Sequence, residues 1–157
     1  MTSVLRRQPR IVLSTVSSDS HTWNLVFLQL LLQEGGYEVV NLGSCVPDDT
    51  LVDAVRTHSP DAVVISSVNG HGHIDGSRLI ARLRRDEDAE VATARVMIGG
   101  KLGVQGETGA AQMANALLAE GFDAVFTDSA DPAELREALD RVVTQRALAQ
   151  TAVAVRG

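Results

Sequence analysis

Cysteine and lysine are almost absent from this chain of 157 residues, and aromatic residues make up only 3% of it. The single cysteine, Cys45, cannot form an internal disulfide, and a cluster of cysteine thiolates around a metal is excluded as well. Lys101 is the only lysine, so a lysine-based mechanism has one possible place. With so few aromatic rings, a surface that stacks nucleic-acid bases is not expected.

Positive charge and long apolar runs are also scarce. The 14 lysines and arginines are outnumbered by 20 acidic residues, and the net charge of −6 argues against binding to nucleic acid or an anionic membrane. The longest apolar run, residues 25–32, contains Gln29 and is far shorter than a membrane span. Residues 1–10 carry three arginines and no apolar stretch of signal-peptide length. We therefore expect a soluble, cytoplasmic protein with no nucleic-acid or membrane partner.

What the chain does contain is a regular alternation of β-branched runs and helical stretches. Its length and its 45% hydrophobic residues predict a single domain over residues 1–157, with a core from about 10 to 150. The predicted strands cover residues 11–15, 38–42, 62–66, 95–98 and 124–127. The predicted helices cover residues 23–33, 47–58, about 76–86, 107–120 and 131–150, with a frayed tail from about 151.

Apolar strands that alternate with helices indicate a parallel sheet covered on both faces. Right-handed crossovers leave few topologies, and we predict an α/β, doubly wound, flavodoxin-like (Rossmann-like) sheet of five strands in the order 2-1-3-4-5. In such sheets, ligands bind beyond the carboxyl ends of the strands, at the switch point between strands one and three. Function is therefore expected in the loops at 16–22, 67–76 and 99–106.

These three loops hold most of the glycines and three of the four histidines. The plainer alternative is that the glycines only shape tight turns. Two flavodoxin-like classes do not match the loops. A response-regulator phosphoacceptor needs an aspartate where strand three ends in Ser66, and a lysine where Thr127 and Asp128 follow strand five. A flavodoxin needs a glycine-containing phosphate loop after strand one, and this loop has no glycine.

The loop after strand three contains a possible metal motif. His71, His73 and Asp75 resemble the opening of the metallo-β-lactamase ligand motif, but Gly76 stands in place of its final histidine. Two histidines and one acid could bind zinc, although alternating residues in a loop are a weak signal. We favour the interpretation that both histidines make polar contacts or are solvated.

The loop after strand one places an acid two residues before a histidine. A carboxylate on one ring nitrogen fixes the tautomer of an imidazole and raises the basicity of the other nitrogen toward a metal. Asp19 and His21 could form such a pair. The alternative is a surface histidine beside a helix start that Asp19 or Ser20 caps, and these residues alone favour that alternative.

Three short motifs stand at the ends of strands one, three and four: Asp19-Ser20-His21-Thr22-Trp23-Asn24, Ser66-Ser67-Val68 and Gly99-Gly100. In this order they resemble the pattern Asp-x-His-x-x-Gly, Ser-x-Leu and Gly-Gly of the cobalamin-binding subunit family of glutamate (methylaspartate) mutase. The resemblance extends from about residue 10 to 143. Asn24 replaces the family glycine and adds bulk near the floor of the corrin, and Val68 replaces the leucine.

The resemblance implies that adenosylcobalamin binds with its dimethylbenzimidazole displaced from cobalt and with His21 in its place as the lower axial ligand. Asp19 would hydrogen-bond the other imidazole nitrogen, and the nucleotide tail would enter a slot between the sheet and the first and last helices. Ser66 would contact the benzimidazole, and Gly99 and Gly100 would leave room for the tail. The implied cofactor-binding residues are Ser18, Asp19, Ser20, His21, Thr22, Ser66, Ser67, Val68, Gly99, Gly100, Lys101, Leu102, Gly103, Val104 and Gln105.

The same resemblance implies the function of an isomerase subunit, the small subunit of a carbon-skeleton mutase that converts glutamate to 3-methylaspartate by radical chemistry. A large barrel-type subunit would bind the amino acid, because the three site loops contain no arginine to hold its carboxylates. The chain alone is therefore expected to be inactive. The alternatives are a stand-alone corrinoid carrier or regulatory cobalamin-binding module, and a cobalamin-free flavodoxin-like interaction domain. Methyl-transfer corrinoid carriers usually have a helical bundle before this domain, whereas only about nine residues precede strand one here.

Overall fold

The structure is a computed structural model that describes residues 8–17, 23–67, 72–100, 107–126 and 132–156. The strands are β1 (Arg10–Thr15), β2 (Glu38–Asn41), β3 (Ala62–Ser67), β4 (Val96–Gly100) and β5 (Ala124–Phe126). The helices are α1 (Trp23–Glu34), α2 (Asp48–His58), α3 (Gly72–Arg84), α4 (Ala89–Ala92), α5 (Glu107–Glu120) and α6 (Pro132–Arg156). None of the described helices is long and apolar enough to cross a membrane.

The five strands form one parallel sheet in the order β2-β1-β3-β4-β5. β1 pairs with β2 on one side and with β3 on the other, so the sheet grows in opposite directions from this strand. A switch point of this kind lies where ligands bind in doubly wound sheets. The prediction of a flavodoxin-like sheet in the order 2-1-3-4-5 is confirmed.

Apolar side chains fill both faces of the sheet, which is why the β-branched runs form its strands. On the α1/α6 face, Leu13 of β1 belongs to a buried cluster with Leu25 of α1 and Leu139 of α6. On the opposite face, Val12 of β1 belongs to a second buried cluster with side chains from α2, α3, α4 and α5. Alternation along each strand therefore decides which helices a given side chain meets.

Short connections close the amino ends of the strands, at residues 35–37, 59–61, 93–95 and 121–123. Two carboxylates in these connections accept strand N–H groups. Asp61 accepts the backbone N–H of Arg10, and Asp123 accepts that of Val96, each at 2.8 Å. These bonds satisfy donors at the first residues of β1 and β4, where a strand begins.

A guanidinium joins the same end of the sheet to the helices. Arg84, at the end of α3, donates to the carbonyl oxygens of Ala94 at 2.6 Å and of Gly121 at 2.7 Å. It also donates to the carbonyl of Ala92 at 3.0 Å and to the carboxylate of Asp123 at 3.2 Å. One side chain thus fixes the connections before β4 and before β5.

Three boundaries at the carboxyl ends of the strands differ from those predicted. α3 begins at Gly72 rather than near Gly76, so the predicted loop at 67–76 is wrong over 72–76. Gly76 is a packing residue of this helix, because a Cβ there would lie 2.8 Å from Cδ1 of Ile98. Ser67 belongs to β3, and Gly99 and Gly100 belong to β4 rather than to the loops that follow.

Two helices were also missed or cut short. The four-residue helix α4 was not predicted; Asp88 caps it by accepting the backbone N–H of Glu90 at 2.9 Å. α6 continues to Arg156, past the predicted end at 150. Its last turns contain no glycine or proline and are rich in alanine, which favours a helix.

Candidate functional site

A row of register partners crosses the carboxyl ends of four strands, and its members in β1, β3 and β4 are small or polar. Thr15 of β1 pairs in register with Ser66 of β3, Ser66 with Gly99 of β4, and Gly99 with Phe126 of β5. Alternation with the apolar residues Leu13 and Val64 places this row on the α1/α6 face. The apolar layer of that face therefore ends in two hydroxyls and a glycine, directly at the switch point.

The hydroxyls of this row are buried although they lie at the end of the sheet. Thr15 is 2% exposed and Ser66 is 4% exposed. The Thr15 hydroxyl donates to the carbonyl oxygen of Gly43, which follows β2, at 3.3 Å. On the opposite face, the Ser14 hydroxyl donates to the carbonyl oxygen of Thr15 at 3.0 Å, and Ser67 is fully buried. A buried hydroxyl is unfavourable unless it is hydrogen-bonded, so these positions are specified more tightly than ordinary surface serines.

The two glycines that end β4 serve different purposes. A Cβ on Gly99 would lie 3.1 Å from Cβ of Phe126, a tight contact that a shift of a few tenths of an ångström relieves. Gly100 has a φ of +107°, and a Cβ there would lie only 2.1 Å from the carbonyl oxygen of Ser67. The protein's own backbone thus requires glycine at 100. At 99, glycine keeps the α1/α6 face of the row free of a side chain.

On the opposite face of the sheet, an arginine of α3 binds Ser17, which lies in the loop after β1. Arg78 of α3 donates from Nη2 to the hydroxyl of Ser17 at 2.7 Å. Its Nε donates to Asp48 at 2.7 Å and its Nη1 to Asp75 at 2.9 Å. The hydrogen bonds to these two carboxylates raise the pKa of Arg78 above its ordinary value, so it remains charged. The surrounding groove of about 480 Å³ is lined by Ser17, Pro47, Asp48, Asp49, Arg78, Arg82 and Arg85.

The possible metal motif is not assembled in the described part of the chain. His73 and Asp75 lie in the first turns of α3, two residues apart, and the Asp75 carboxylate pairs with Arg78. Among the described residues, no group of three or more histidine, cysteine or acidic side chains could hold a metal ion. His71 lies outside the described residues.

Comparison with models of protein families identifies the family of this chain. The model of the B12-binding domain matches residues 9–134, a range that includes every strand and the whole of the carboxyl-end row. The chain belongs to the B12-binding domain family.

Individual proteins that this chain resembles include glutamate mutase sigma subunits and a cobalamin-binding protein. Glutamate mutase sigma subunit 1 of Haloarcula marismortui is 33% identical over 139 residues, covering 86% of this chain and 89% of the relative. The glutamate mutase sigma subunit of Halobacterium salinarum is 34% identical over 119 residues, covering 76% of each. Among solved structures, a cobalamin-binding protein from Desulfitobacterium hafniense is 26% identical with a TM-score of 0.60. That match covers 89% of this chain and 59% of the other.

The structure places part of the predicted B12 site. Ser66 and Gly99 are register neighbours, and Ser67 and Gly100 are the next pair along the same strands. The other predicted residues lie outside the described ranges: Ser18, Asp19, Ser20, His21, Thr22, Val68, Lys101, Leu102, Gly103, Val104 and Gln105.

Two residues of the edge and one contact were not singled out from the sequence. Thr15 could have been found, because it is a polar residue at the end of an apolar run. Phe126 is apolar like the rest of β5, so nothing marks it as the neighbour of Gly99. The contact between Arg78 and Ser17 joins residues 61 positions apart, and no spacing rule indicates it.

Proposed function

We propose that this chain is the cobalamin-binding subunit of an adenosylcobalamin-dependent carbon-skeleton mutase of the glutamate mutase type. The similarity to glutamate mutase sigma subunits carries the proposal, since it extends over 89% of the length of one of them. The match of the B12-binding domain model to residues 9–134 supports cobalamin as the ligand.

The row at the carboxyl ends fits the tail of cobalamin. Thr15, Ser66 and Gly99 lie side by side on the α1/α6 face, and the absence of a side chain at 99 gives a flat group access to the backbone. Buried hydroxyls beside that gap suit the polar edge of a heterocycle and its ribose. In the proposed site the tail lies along this row, between the sheet and helices α1 and α6.

The loop after β1 would supply the cobalt ligand. It joins Ser17, which follows β1, to Trp23, which begins α1. In the proposal His21 binds cobalt through a neutral ring nitrogen, and Asp19 accepts the proton of the other nitrogen, which fixes the tautomer. Adenosylcobalamin, when bound, supplies a carbon radical by homolysis of its cobalt–carbon bond. The protein's part would be to bind and orient the cofactor at the carboxyl ends of the strands.

The substrate would bind to a second protein. Glutamate carries two carboxylates that need cationic partners. Arg78, which lies at this edge, already pairs with Asp48 and Asp75. A large catalytic subunit would provide the cations and cover the upper face of the cofactor, and the chain alone would not turn over substrate.

Ligation by His21 is the first test. We expect cobalamin bound to the purified chain to be base-off with a protein imidazole on cobalt. Labelling of the protein's histidines with nitrogen-15 should then change the superhyperfine splitting in the EPR spectrum of the Co(II) form. The variant His21→Gly should lose this splitting and keep the far-UV circular dichroism of the folded chain. Splitting that ignores the label would show that the cofactor's own base stays on cobalt and would reject His21 as the ligand.

Turnover separates the subunit from the alternatives. Conversion of glutamate to 3-methylaspartate with adenosylcobalamin should require both this chain and a candidate large subunit. Activity of the chain alone would overturn the subunit assignment.

A stand-alone corrinoid carrier is the second candidate, because the 26%-identical structure from Desulfitobacterium hafniense is a cobalamin-binding protein. Cobalamin binding without turnover, with every candidate partner, would favour the carrier. A visible spectrum of hydroxocobalamin that does not change on mixing would favour a cobalamin-free interaction domain.

A further inference from the structure

Arg78 links three separate parts of the chain at the edge where cobalamin is proposed to bind. Its guanidinium donates to Ser17 in the loop after β1, to Asp48 at the start of α2 and to Asp75 one turn earlier in α3. The distances are 2.7, 2.7 and 2.9 Å, and a second bond to Asp48 measures 3.2 Å. All of its nitrogens are used, which orients the planar group in one way.

The two carboxylates that hold this arginine are themselves held by packed helices. Asp75 is 8% exposed. α3 lies close against β4: a Cβ at Gly76 would be only 2.8 Å from Cδ1 of Ile98. Asp48 begins α2, whose side chains Leu51 and Val52 are buried in the core. The Arg78 guanidinium therefore has a fixed base, and Ser17 is the contact that reaches outward from that base.

A second arginine shows that the hydroxyl contact is not needed to neutralise charge. Arg56 of α2 also meets three carboxylates, those of Asp53, Asp86 and Asp88. Among the described residues, Arg56 forms hydrogen bonds and ion pairs only with acids, and none of these acids lies at the carboxyl ends of the strands. Arg78 has two acids and the neutral hydroxyl of Ser17. The third partner of Arg78 thus adds position, since a neutral hydroxyl adds no ion pair.

Ser17 is the last described residue before the segment 18–22, which contains Asp19 and His21. We infer that Arg78 is a positioning residue that fixes the amino-terminal end of this ligating segment through the Ser17 hydroxyl. The inference rests on the proposed function. Holding Ser17 in one position before the cofactor arrives lowers the entropic cost of binding, so cobalamin affinity should rise with this anchor.

The test compares cobalamin affinity among matched variants of the full chain, measured by visible titration with hydroxocobalamin. Arg78→Met keeps the aliphatic stem and removes all of the bonds, and we expect affinity to fall by about 10- to 100-fold, as for partners that orient a metal ligand. Ser17→Ala removes only the outward contact, and we expect a smaller loss of about 3- to 10-fold with an unchanged thermal midpoint. Arg78→Lys should not restore affinity, because one ammonium cannot reach three partners in a fork.

Arg56→Met is the control, since it breaks a comparable cluster away from the edge. It should leave affinity within about twofold of the parent. The EPR spectrum of the Co(II) form at saturating cobalamin is the second measurement. In Arg78→Met, the fraction of cobalt that shows histidine splitting should fall, which a general loss of stability would not cause.

The outcomes are separable. A parent chain that binds no cobalamin would reject the proposed function. A parent that binds, with Arg78→Met and Ser17→Ala both at parental affinity and full histidine splitting, would reject the positioning role alone. An equal loss of affinity in Arg56→Met would also reject it, because the effect would then follow any broken ion-pair cluster.

Discussion

The amino and carboxyl ends of the sheet are built in opposite ways. At the amino ends, the connections are three residues long, and the described carboxylates and carbonyls there bind within the chain, as Asp61 and Asp123 do. At the carboxyl ends, the connections run from four to seven residues, and three of the strands, β1, β3 and β4, finish in hydroxyls or glycines. The amino ends of the strands thus use their polar groups within the chain, whereas the carboxyl ends of β1, β3 and β4 carry a row of small residues.

This difference separates stability from binding. A backbone group that is paired within the chain contributes to folding and offers nothing to a ligand. Loops that are longer than a closure needs, on a rigid sheet, are where ligand contacts are usually found. Changes at the amino end should therefore alter unfolding without altering cobalamin affinity, and most changes at the carboxyl end should do the reverse.

Gly100→Ala should break this rule with the largest effect. Gly100 lies at the carboxyl end, yet an alanine there would combine a φ of +107° with a Cβ 2.1 Å from the carbonyl of Ser67. We expect the free energy of unfolding to fall by at least about 3 kcal/mol. Urea denaturation of the cofactor-free chain measures it.

The neighbouring variant Gly99→Ala is the control for that prediction. A shift of Phe126 by a few tenths of an ångström would make room for the alanine Cβ. The free energy of unfolding should therefore fall by about 1 kcal/mol or less. The loss in the free energy of cobalamin binding should exceed this loss in the free energy of unfolding, since the new methyl group would lie in the row beside Ser66. Equal destabilisation by the two alanines would show that both glycines serve the fold.

Arg84→Met should have the next largest effect on the free energy of unfolding. It tests the amino ends of the strands, where stability and cobalamin affinity should change independently. It leaves the carbonyls of Ala92, Ala94 and Gly121 without this donor. We expect a loss of about 2 kcal/mol in the free energy of unfolding, with cobalamin affinity of the folded chain unchanged. Arg85→Met is the matched control, because Arg85 is exposed and, within the described ranges, donates only to the carbonyl oxygen of Ala81 in the adjoining α3. A clear fall in affinity for Arg84→Met would contradict the division between the two ends.

The smallest effect concerns pH and Tyr37, the only tyrosine of the chain. Burial, followed by the hydrogen bond that its hydroxyl donates to Asp140 of α6, raises the pKa of Tyr37 above its usual value near 10. The unfolded chain therefore ionises this phenol first, so its stabilising contribution is complete below about pH 10 and is lost as the pH rises further. Tyrosinate absorbance during an alkaline titration follows this single group.

The variant Tyr37→Phe completes that experiment. It should lose stability at neutral pH and show a weaker decline of stability above about pH 10 than the parent. A tyrosinate signal that rises at the ordinary pKa in the folded parent would show that Tyr37 is not held by Asp140.

Most of the fold could be predicted from the sequence because burial on both faces of a strand leaves a local signal. Runs such as Ile11-Val12-Leu13 are apolar throughout, and the helix at 107–120 was predicted with the bounds that the structure has. The start of α3 was missed because Gly76 is characteristic of a loop by itself. Its reason lies in the distant side chain of Ile98, which no local pattern contains.

The candidate site could be predicted only in part for the same reason. Strand order and strand ends were enough to bring Ser66 and Gly99 to one edge, where the register makes them neighbours. Their roles toward cobalamin, and that of His21, stay predictions. The Ser17–Arg78 contact depends on how α3 is rotated against the sheet, and that rotation is set by packing rather than by sequence spacing.

The close approach of Gly100 to Ser67 has a consequence for how related chains are compared. Because backbone sterics alone demand glycine at this position, a descendant that no longer bound any ligand would still be selected to keep it. The glycine before it carries no such obligation and would be free to change once the ligand was lost. Across a set of homologues, the second glycine of the pair therefore records the fold, whereas in the proposed site the first, Gly99, would record whether cobalamin still binds at this edge.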